Sequence, residues 1–204
     1  MNKYFDKIYL INLERRSDRL EKMKIQLKSI GVTYEIVKAI DGDKEEIEFI
    51  KGSHAWNKNS AALSLTTLKI LEDAKKNNYN RIFIFEDDVE FIPQAKRYID
   101  KIKWLQDDEW DMIHFGTIDK VRPDKSNTSW IKLKESYCCH AYGINSSVYD
   151  EYIEEIKKMD RPIDEITAKQ LQTKGKCFKL SRTLCYQTRD YSNIRKRKVK
   201  YIIR

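Results

Sequence analysis

Residues 81–89, Arg-Ile-Phe-Ile-Phe-Glu-Asp-Asp-Val, constrain this chain more than any other stretch. Four apolar residues, β-branched and aromatic, run straight into three consecutive acids. Such a run reads as a buried strand. It places Glu86, Asp87 and Asp88 at the strand's carboxyl end, the edge where open α/β sheets bind ligands. Two readings fit the acids. Adjacent carboxylates repel one another until a cation neutralises them, and Mg²⁺ or Mn²⁺ takes oxygen ligands. Alternatively, they form a solvated turn that caps the next element. In an extended chain residues two apart share a side, so Glu86 and Asp88 converge while Asp87 points away.

Before that stretch the pattern is β-α-β. Ile8 to Leu13 is a first buried strand, followed by Arg15, Arg16 and Arg19. Those arginines stand at a strand's carboxyl end, where guanidinium groups pair bidentately with phosphates; a solvated basic helix start is the other reading. A helix follows, with Asp18 and Glu21 as a capping box. Leu20, Met23, Leu27 and Ile30 share its inner face, and Gly31 stops it. Tyr34 to Ile40 is the second strand, closed by the turn Asp41-Gly42.

A charged, irregular stretch, Lys44 to Asn57, precedes a helix of about sixteen residues from near Ser60, with Ala61, Leu65, Leu68 and Leu71 or Ile70 on its inner stripe. After the acidic strand, a helix is expected from Gln94 to Leu105 and a strand from Trp110 to Gly116. Asp119 to Ser129 reads as loop. Strands are expected at Trp130–Leu133 and Cys138–Ile144. The second leads through Asn145-Ser146-Ser147 into a helix, and Asp164 opens a further one behind Pro162-Ile163. Short strands follow at Lys176–Leu180 and Thr183–Tyr186.

The chain's 204 residues are enough for one α/β domain with a real core and short for two. The expected division is a domain over 1–194 and a basic tail over 195–204. A net charge of +8 suits an anionic partner. Cys138, Cys139, Cys177 and Cys185 lack zinc-like spacing, and two are adjacent, so buried free thiols in a reducing compartment are expected. The charged amino terminus and the lack of any run near about 18 apolar residues predict a cytoplasmic protein, soluble or peripheral to a membrane. His140 reads as a hydrogen-bonded core residue, and Asn127-Thr128-Ser129 as an unused glycosylation sequon.

These motifs, in this order, resemble glycosyltransferase family 25, which includes lipooligosaccharide galactosyltransferases and collagen hydroxylysine galactosyltransferases. The first strand with its arginines, Ala39-Ile40-Asp41-Gly42, Phe85 to Val89, Trp110-Asp111 with Phe115-Gly116, and Ala141 to Ile144 all resemble family elements. So do Pro162-Ile163-Asp164 and Gln187 with Ser192-Asn193-Ile194. The resemblance spans roughly Lys7 to Ile194. One departure stands out. Where the family carries Gly-Cys-x-x-Ser-His, this chain has Ser60-Ala61-Ala62-Leu63-Ser64-Leu65, so a leucine replaces the histidine. His54 is a candidate substitute.

The resemblance implies a single-domain GT-A-type fold with a mixed, largely parallel central sheet. It implies a UDP-sugar donor and Mn²⁺ or Mg²⁺. Asp88 is the first candidate ligand and Glu86 the second, with Asp190 also at the metal or donor site. Asp87 would accept from a ribose hydroxyl or a basic partner. Asn12, Arg15, Arg16, Arg19, Asp41, Ser64 and Gln187 complete the donor-binding set. Inversion at the sugar carbon needs a base to take the acceptor's proton; Asp164 is the candidate, with a helix cap and a metal ligand as its other readings. The acceptor would be a glycan, a lipid-linked sugar or a protein, and the basic tail could touch an anionic membrane.

Two other classes stay open. The positive charge and the acidic site also suit a nucleic-acid-binding or metal-dependent phosphodiester-cleaving protein. Aromatic residues are not interleaved with the basic ones, and no second acidic cluster supplies a two-metal site, so nucleic acid is the less favoured partner. The third class is a transferase-like module that has lost activity, which Leu65 favours and intact Glu86, Asp88 and Asp164 oppose.

Overall fold

The computed structural model describes residues 1–50, 56–99, 109–124, 129–188, 191–194 and 196–198. In chain order the first half holds β1 (Lys7–Asn12), α1 (Ser17–Ser29), β2 (Glu35–Lys38), α2 (Lys58–Lys76), β3 (Arg81–Glu86), β4 (Val89–Phe91) and α3 (Ala95–Ile99). Next come β5 (Met112–His114), β6 (Ile118–Val121), β7 (Trp130–Lys132), β8 (Glu135–Tyr137), β9 (Ala141–Asn145) and α4 (Tyr149–Lys157). The described chain closes with α5 (Ile163–Ile166), α6 (Gln172–Lys174), β10 (Cys177–Leu180), β11 (Cys185–Gln187), β12 (Tyr191–Ser192) and β13 (Arg197–Lys198).

The central sheet has the order β2-β1-β3-β9-β5-β10-β7. Strands β1, β2, β3, β5 and β10 run one way, and β9 and β7 run against them. This is the mixed, largely parallel α/β sheet expected from the sequence. Its inner strands are apolar on both faces because both faces are covered. Ile8, Leu10, Phe83, Phe85 and Ile113 pack with Met23 and Leu27 of α1. Tyr9, Ile11, Ile82, Ile84 and Tyr142 pack on the opposite side with Ile70 and Leu71 of α2 and Ile153 and Ile156 of α4. Each fully buried side chain of this size contributes about 1.5–3 kcal/mol.

Helix α1 ends as expected. Gly31 sits at φ 71°, Val32 N–H donates to Leu27 O at 3.0 Å and Gly31 N–H to Lys28 O at 3.1 Å. This is a Schellman closure, and a Cβ at residue 31 would strain it. Its start differs from the expected capping box. Arg16 is the cap residue and makes no side-chain cap bond, while Asp18 lies inside the first turn. Asp18 instead takes two hydrogen bonds from Arg16, both 2.9 Å, because a guanidinium fork outcompetes a backbone N–H for a carboxylate.

Helix α2 also departs from expectation. It starts at Lys58 behind Asn57, which forms a capping box with Ser60. Its buried face is Ala61, Ala62, Ser64, Thr66 and Thr67 with Ile70 and Leu71, whereas Leu65 and Leu68 are only half-buried. Small residues let the helix pack closely, and their hydroxyls are satisfied by back-bonds such as Thr66 Oγ1 to Ala62 O at 2.9 Å.

Asp119 to Ser129, expected as loop, begins within a strand: β6 pairs antiparallel with β8. The Ser136 hydroxyl donates to Asp119 at 2.8 Å. The strand signal was hidden because this pair is polar and largely exposed. His140 is buried as expected, but among the described residues neither its ring nitrogens nor those of His114 make a hydrogen bond of good geometry; backbone of Cys185 and Cys138 lies beside them, and the His114 ring stacks on Tyr142. None of the four cysteines is in a disulfide, and Cys139, Cys177 and Cys185 are buried. Among the described residues no helix is long and apolar enough to cross a membrane. Asn127 and Thr128 of the sequon, the second half of the helix expected over Gln94–Leu105, and residues 195 and 199–204 of the tail lie outside the described residues.

Candidate active site

The carboxyl ends of β1, β2 and β3 meet at one edge, because β1 pairs in parallel with both neighbours: Asn12 stands opposite Lys38 and Ile11 opposite Glu86. Glu86 closes β3. Asp87 and Asp88 then turn the chain into β4, which pairs antiparallel with β11 and sets Val89 opposite Gln187. That pairing, with no local signal in the sequence, carries Gln187 to the acids: its Nε2 donates to Asp88 Oδ2 at 2.9 Å.

Arg19, on α1 and only 5% exposed, is the counter-charge. Its Nη1 donates to Asp87 Oδ1 at 2.8 Å and reaches Asp88 Oδ2 at 3.4 Å. Asn12 Nδ2 donates to the other oxygen of Asp87 at 2.8 Å. Asp87 therefore has the basic partner expected of it, and Arg19 serves both aspartates. Asp88 Oδ1 is buried and, among the described residues, has no hydrogen-bond partner. Burial raises the Glu86 carboxyl well above its ordinary pKa, reinforced by Asp88, Asp87 and Asp164 and opposed by Arg19. Burial also raises Asp87 and Asp88, against the Arg19 guanidinium.

A cleft open to solvent lies beside these acids, with about 620 Å³ of empty space that includes some of the solvent at its mouth. Ile11, Leu13, Ala39, Ile40 and Leu63 give it an apolar wall; Glu86, Asp87, Asp88 and Gln187 give it a polar end. Gly42 is required at its rim, since a Cβ there would lie 2.4 Å from Asn59 Oδ1 and 2.7 Å from the Lys58 carbonyl oxygen. Arg15 spans the mouth. Its Nε and Nη2 donate to Asp41 at 2.8 and 3.2 Å, Nη2 also to Asp43 at 3.2 Å, and Nη1 to Asn193 Oδ1 at 3.1 Å. Arg15 holds the Asp41 carboxyl below its ordinary pKa.

Of the site residues expected from the sequence, Arg15, Arg19, Asp41, Glu86, Asp87, Asp88 and Gln187 come together around this cavity. Asn12 stands behind Asp87. Arg16 is paired with Asp18 and is not part of the wall. Ser64 is fully buried, its hydroxyl donating to Ser60 O at 3.2 Å, and Leu63 takes the wall position. Asp164 lies in the first turn of α5, whose cap is Pro162, so it is not the helix cap. It is off the cavity wall yet near enough to Glu86 to raise that carboxyl. Asp190 and His54 lie outside the described residues. Sequence reading missed Asn59 and the wall formed by Leu63; only their registry on α2 could have shown them.

Among the described residues no three His, Cys, Asp or Glu side chains converge as a ready-made metal cage. The residues present nevertheless fit a hard cation. Asp88 Oδ1 is an unpartnered carboxylate oxygen, Glu86 is crowded by like charges, and Mg²⁺ is ordinarily held by one or two carboxylates with substrate phosphates and water.

The sequence pattern of "Glycosyltransferase family 25 (LPS biosynthesis protein)" matches residues 5–175. The chain belongs to glycosyltransferase family 25. A "Glycosyltransferase 25 family member" of Aedes aegypti is 26% identical over 179 residues, covering 78% of this chain and 29% of the relative. "Procollagen galactosyltransferase 2" of Mus musculus is 26% identical over 169 residues, 69% of this chain and 26% of the relative. "Inactive glycosyltransferase 25 family member 3" of Mus musculus is 25% identical over 138 residues, 59% of this chain and 23% of the relative. The chain thus spans less than a third of the length of these relatives. Family 25 members named as active and as inactive both resemble it, so membership alone does not decide activity.

Proposed function

We propose that this family 25 chain is a hexosyltransferase that takes galactose or glucose from a UDP-sugar and passes it, with inversion, to a glycan, lipid-linked or hydroxylysine acceptor. The observation that carries this reading is the unpartnered Asp88 Oδ1 at the polar end of a cavity whose other wall is apolar. An apolar slot beside crowded carboxylates suits a nucleoside diphosphate that brings its own cation. Glu86 and Asp88 would hold Mn²⁺ or Mg²⁺. When bound, that ion supplies Lewis-acid stabilisation of the charge that develops on the leaving diphosphate.

The chain's own residues do the rest. Arg19 and Asn12 fix Asp87 and so brace the acid turn. Gln187 orients the Asp88 carboxylate through Oδ2 and leaves Oδ1 for a ligand. Asp164 takes the acceptor hydroxyl's proton as the sugar carbon is attacked from the face opposite the leaving diphosphate. The raised Glu86 carboxyl reflects, in part, how close Asp164 stands to the acids.

The test is release of UDP from UDP-galactose and UDP-glucose with Mn²⁺, over lipooligosaccharide core and hydroxylysine-peptide acceptors. Turnover that falls at least 100-fold in Asp164→Asn, with UDP binding retained, supports the reading. Acceptor-dependent turnover unchanged in Asp164→Asn removes the assigned base. Wild-type chain that binds no UDP with Mn²⁺ favours the inactive-module class instead.

A further inference from the structure

Residues 191–194 lie beyond the stretch that matches the family pattern, which ends at residue 175. They form the start of the β12–β13 hairpin and lie across the cavity mouth, with Ser192, Asn193 and Ile194 in its wall. Several side chains fasten them by hydrogen bonds to their backbone. Arg19 Nη2 donates to Tyr191 O at 2.8 Å, Asn59 Nδ2 to Asn193 O at 3.0 Å and Asn57 Nδ2 to Ile194 O at 3.3 Å. Lys196 pairs with Asp43 at 2.9 Å. The anchors of residues 191–194 come from α1 and the amino-terminal end of α2, and the turn after β2 holds the hairpin just beyond them at Lys196.

Within the strip, the Asn193 side chain is fixed in one orientation. Arg15 Nη1 donates to its Oδ1, and Arg15 is itself held by the bidentate pair with Asp41. A guanidinium has no acceptor, so the amide cannot flip without losing that bond. Its NH₂ is thereby assigned. Among the described residues it donates to no protein group, and it belongs to a residue of the cavity wall.

We propose that Asn193 is a donor-binding residue: its side-chain NH₂ donates to an acceptor oxygen of the bound nucleoside diphosphate, and Arg15 acts through it as a positioning residue rather than as the phosphate ligand itself. This rests on the reading of the cavity as a nucleoside-diphosphate site. The acceptor oxygen belongs to the nucleoside or to the diphosphate, chemistries that share the need for an N–H donor. Two carboxylates already occupy Arg15, and displacing them would leave Asp41 unpaired at the rim. Asn193 is a free donor that requires no such exchange.

The experiment is calorimetric titration of the full chain with UDP, uridine and pyrophosphate in the presence of Mn²⁺, for wild type, Asn193→Ala, Asn193→Asp and Asp88→Asn. Asn193→Asp removes both N–H donors yet can still pair with Arg15 through either oxygen. The expected result is a 3- to 10-fold weaker UDP Kd for Asn193→Ala and a larger loss for Asn193→Asp, with ligand-free Tm within about 2 °C of wild type. Loss on uridine as well as UDP places the oxygen on the nucleoside; loss on pyrophosphate places it on the diphosphate. Asn193→Asp that binds all three ligands as wild type does overturns the proposal, as does a loss explained by unfolding in both variants. If wild type binds UDP and Asp88→Asn does not, the cavity reading stands whatever Asn193 does. If wild type binds none of the three, the cavity reading itself has failed.

Discussion

The two arginines at the site live in opposite surroundings. Arg19 is sealed under the acid turn, its side chain 7% exposed, pairing with Asp87 and Asp88 whose side chains are 10% exposed. Arg15 spans the open mouth, its side chain 33% exposed, pairing with Asp41 at 13% and Asp43 at 41%. The same residue type, four positions apart, therefore does two kinds of work. Charges inside the floor are trapped: removing one partner strands the others away from water. Charges at the mouth are exchangeable, because solvent screens them and can replace any partner lost. The floor holds shape, and the mouth answers to ligand.

The largest expected effect tests the floor. Arg19→Ala should destabilise the chain by about 3–5 kcal/mol, since it leaves two buried carboxylates uncompensated. Thermal or urea unfolding checks this. A change under about 1 kcal/mol would put the floor and the mouth in one class.

Acid should strike the interior next. Burial lowers the His140 imidazole to about 4 and the His114 imidazole to about 3, against an ordinary 6.5. Both are therefore neutral in the folded chain while the unfolded chain takes up protons below pH 6.5. Stability is full above that pH and falls as pH drops toward the folded values, by up to about 1.4 kcal/mol per pH unit for each group. A Tm profile between pH 7.5 and 5 should show the fall, and His114→Gln should flatten part of it. An unchanged slope in that variant assigns the fall to other groups.

A smaller effect concerns Asp88. Burial penalises its charged form, so Asp88→Asn should leave ligand-free stability unchanged or raise it by about 1 kcal/mol. The raised carboxyls work in the opposite pH direction to the histidines: the folded chain holds their protons longer, so they erode stability as pH rises through their folded values. Asp88→Asn should weaken that erosion at pH above the ordinary carboxylate range. The smallest effect is at the mouth. Arg15→Ala should cost about 0–1 kcal/mol, less in high salt, while weakening UDP binding. Equal stability losses from Arg15→Ala and Arg19→Ala would dissolve the contrast.

The acids of the floor were legible from local pattern, whereas Arg15 and Asp41 at the mouth were named through the family resemblance and their pairing was not legible. A buried apolar run ending in acids declares itself locally, so β1, β3, Glu86, Asp87 and Asp88 could be placed by period and composition alone. Arg19 was legible as one of a cluster, but not as the one member that turns inward while Arg16 pairs with Asp18. Gln187 depends on the register of β4 against β11, about a hundred positions apart in the chain, which no local pattern encodes. Helix α2 was read in part: Ala61, Ile70 and Leu71 lie on its inner face as expected, but alanine, serine and threonine fill the rest of that face while Leu65 and Leu68 sit at its half-buried edge. The closing strip is polar and held by side chains from distant elements, which leaves no periodic trace.

The most direct measurement is thermal unfolding of the full chain with Mn²⁺ and UDP, wild type beside Asp88→Asn. At about one hundred times Kd, a ligand that binds only the folded chain adds about 2.7 kcal/mol, or a rise on the order of 5–10 °C. The expected result is that rise in wild type, its dependence on Mn²⁺, and its disappearance in Asp88→Asn. A rise of equal size in both proteins, or no rise with any nucleotide in wild type, would contradict the assignment of the cavity beside Asp88 as the nucleoside-diphosphate site.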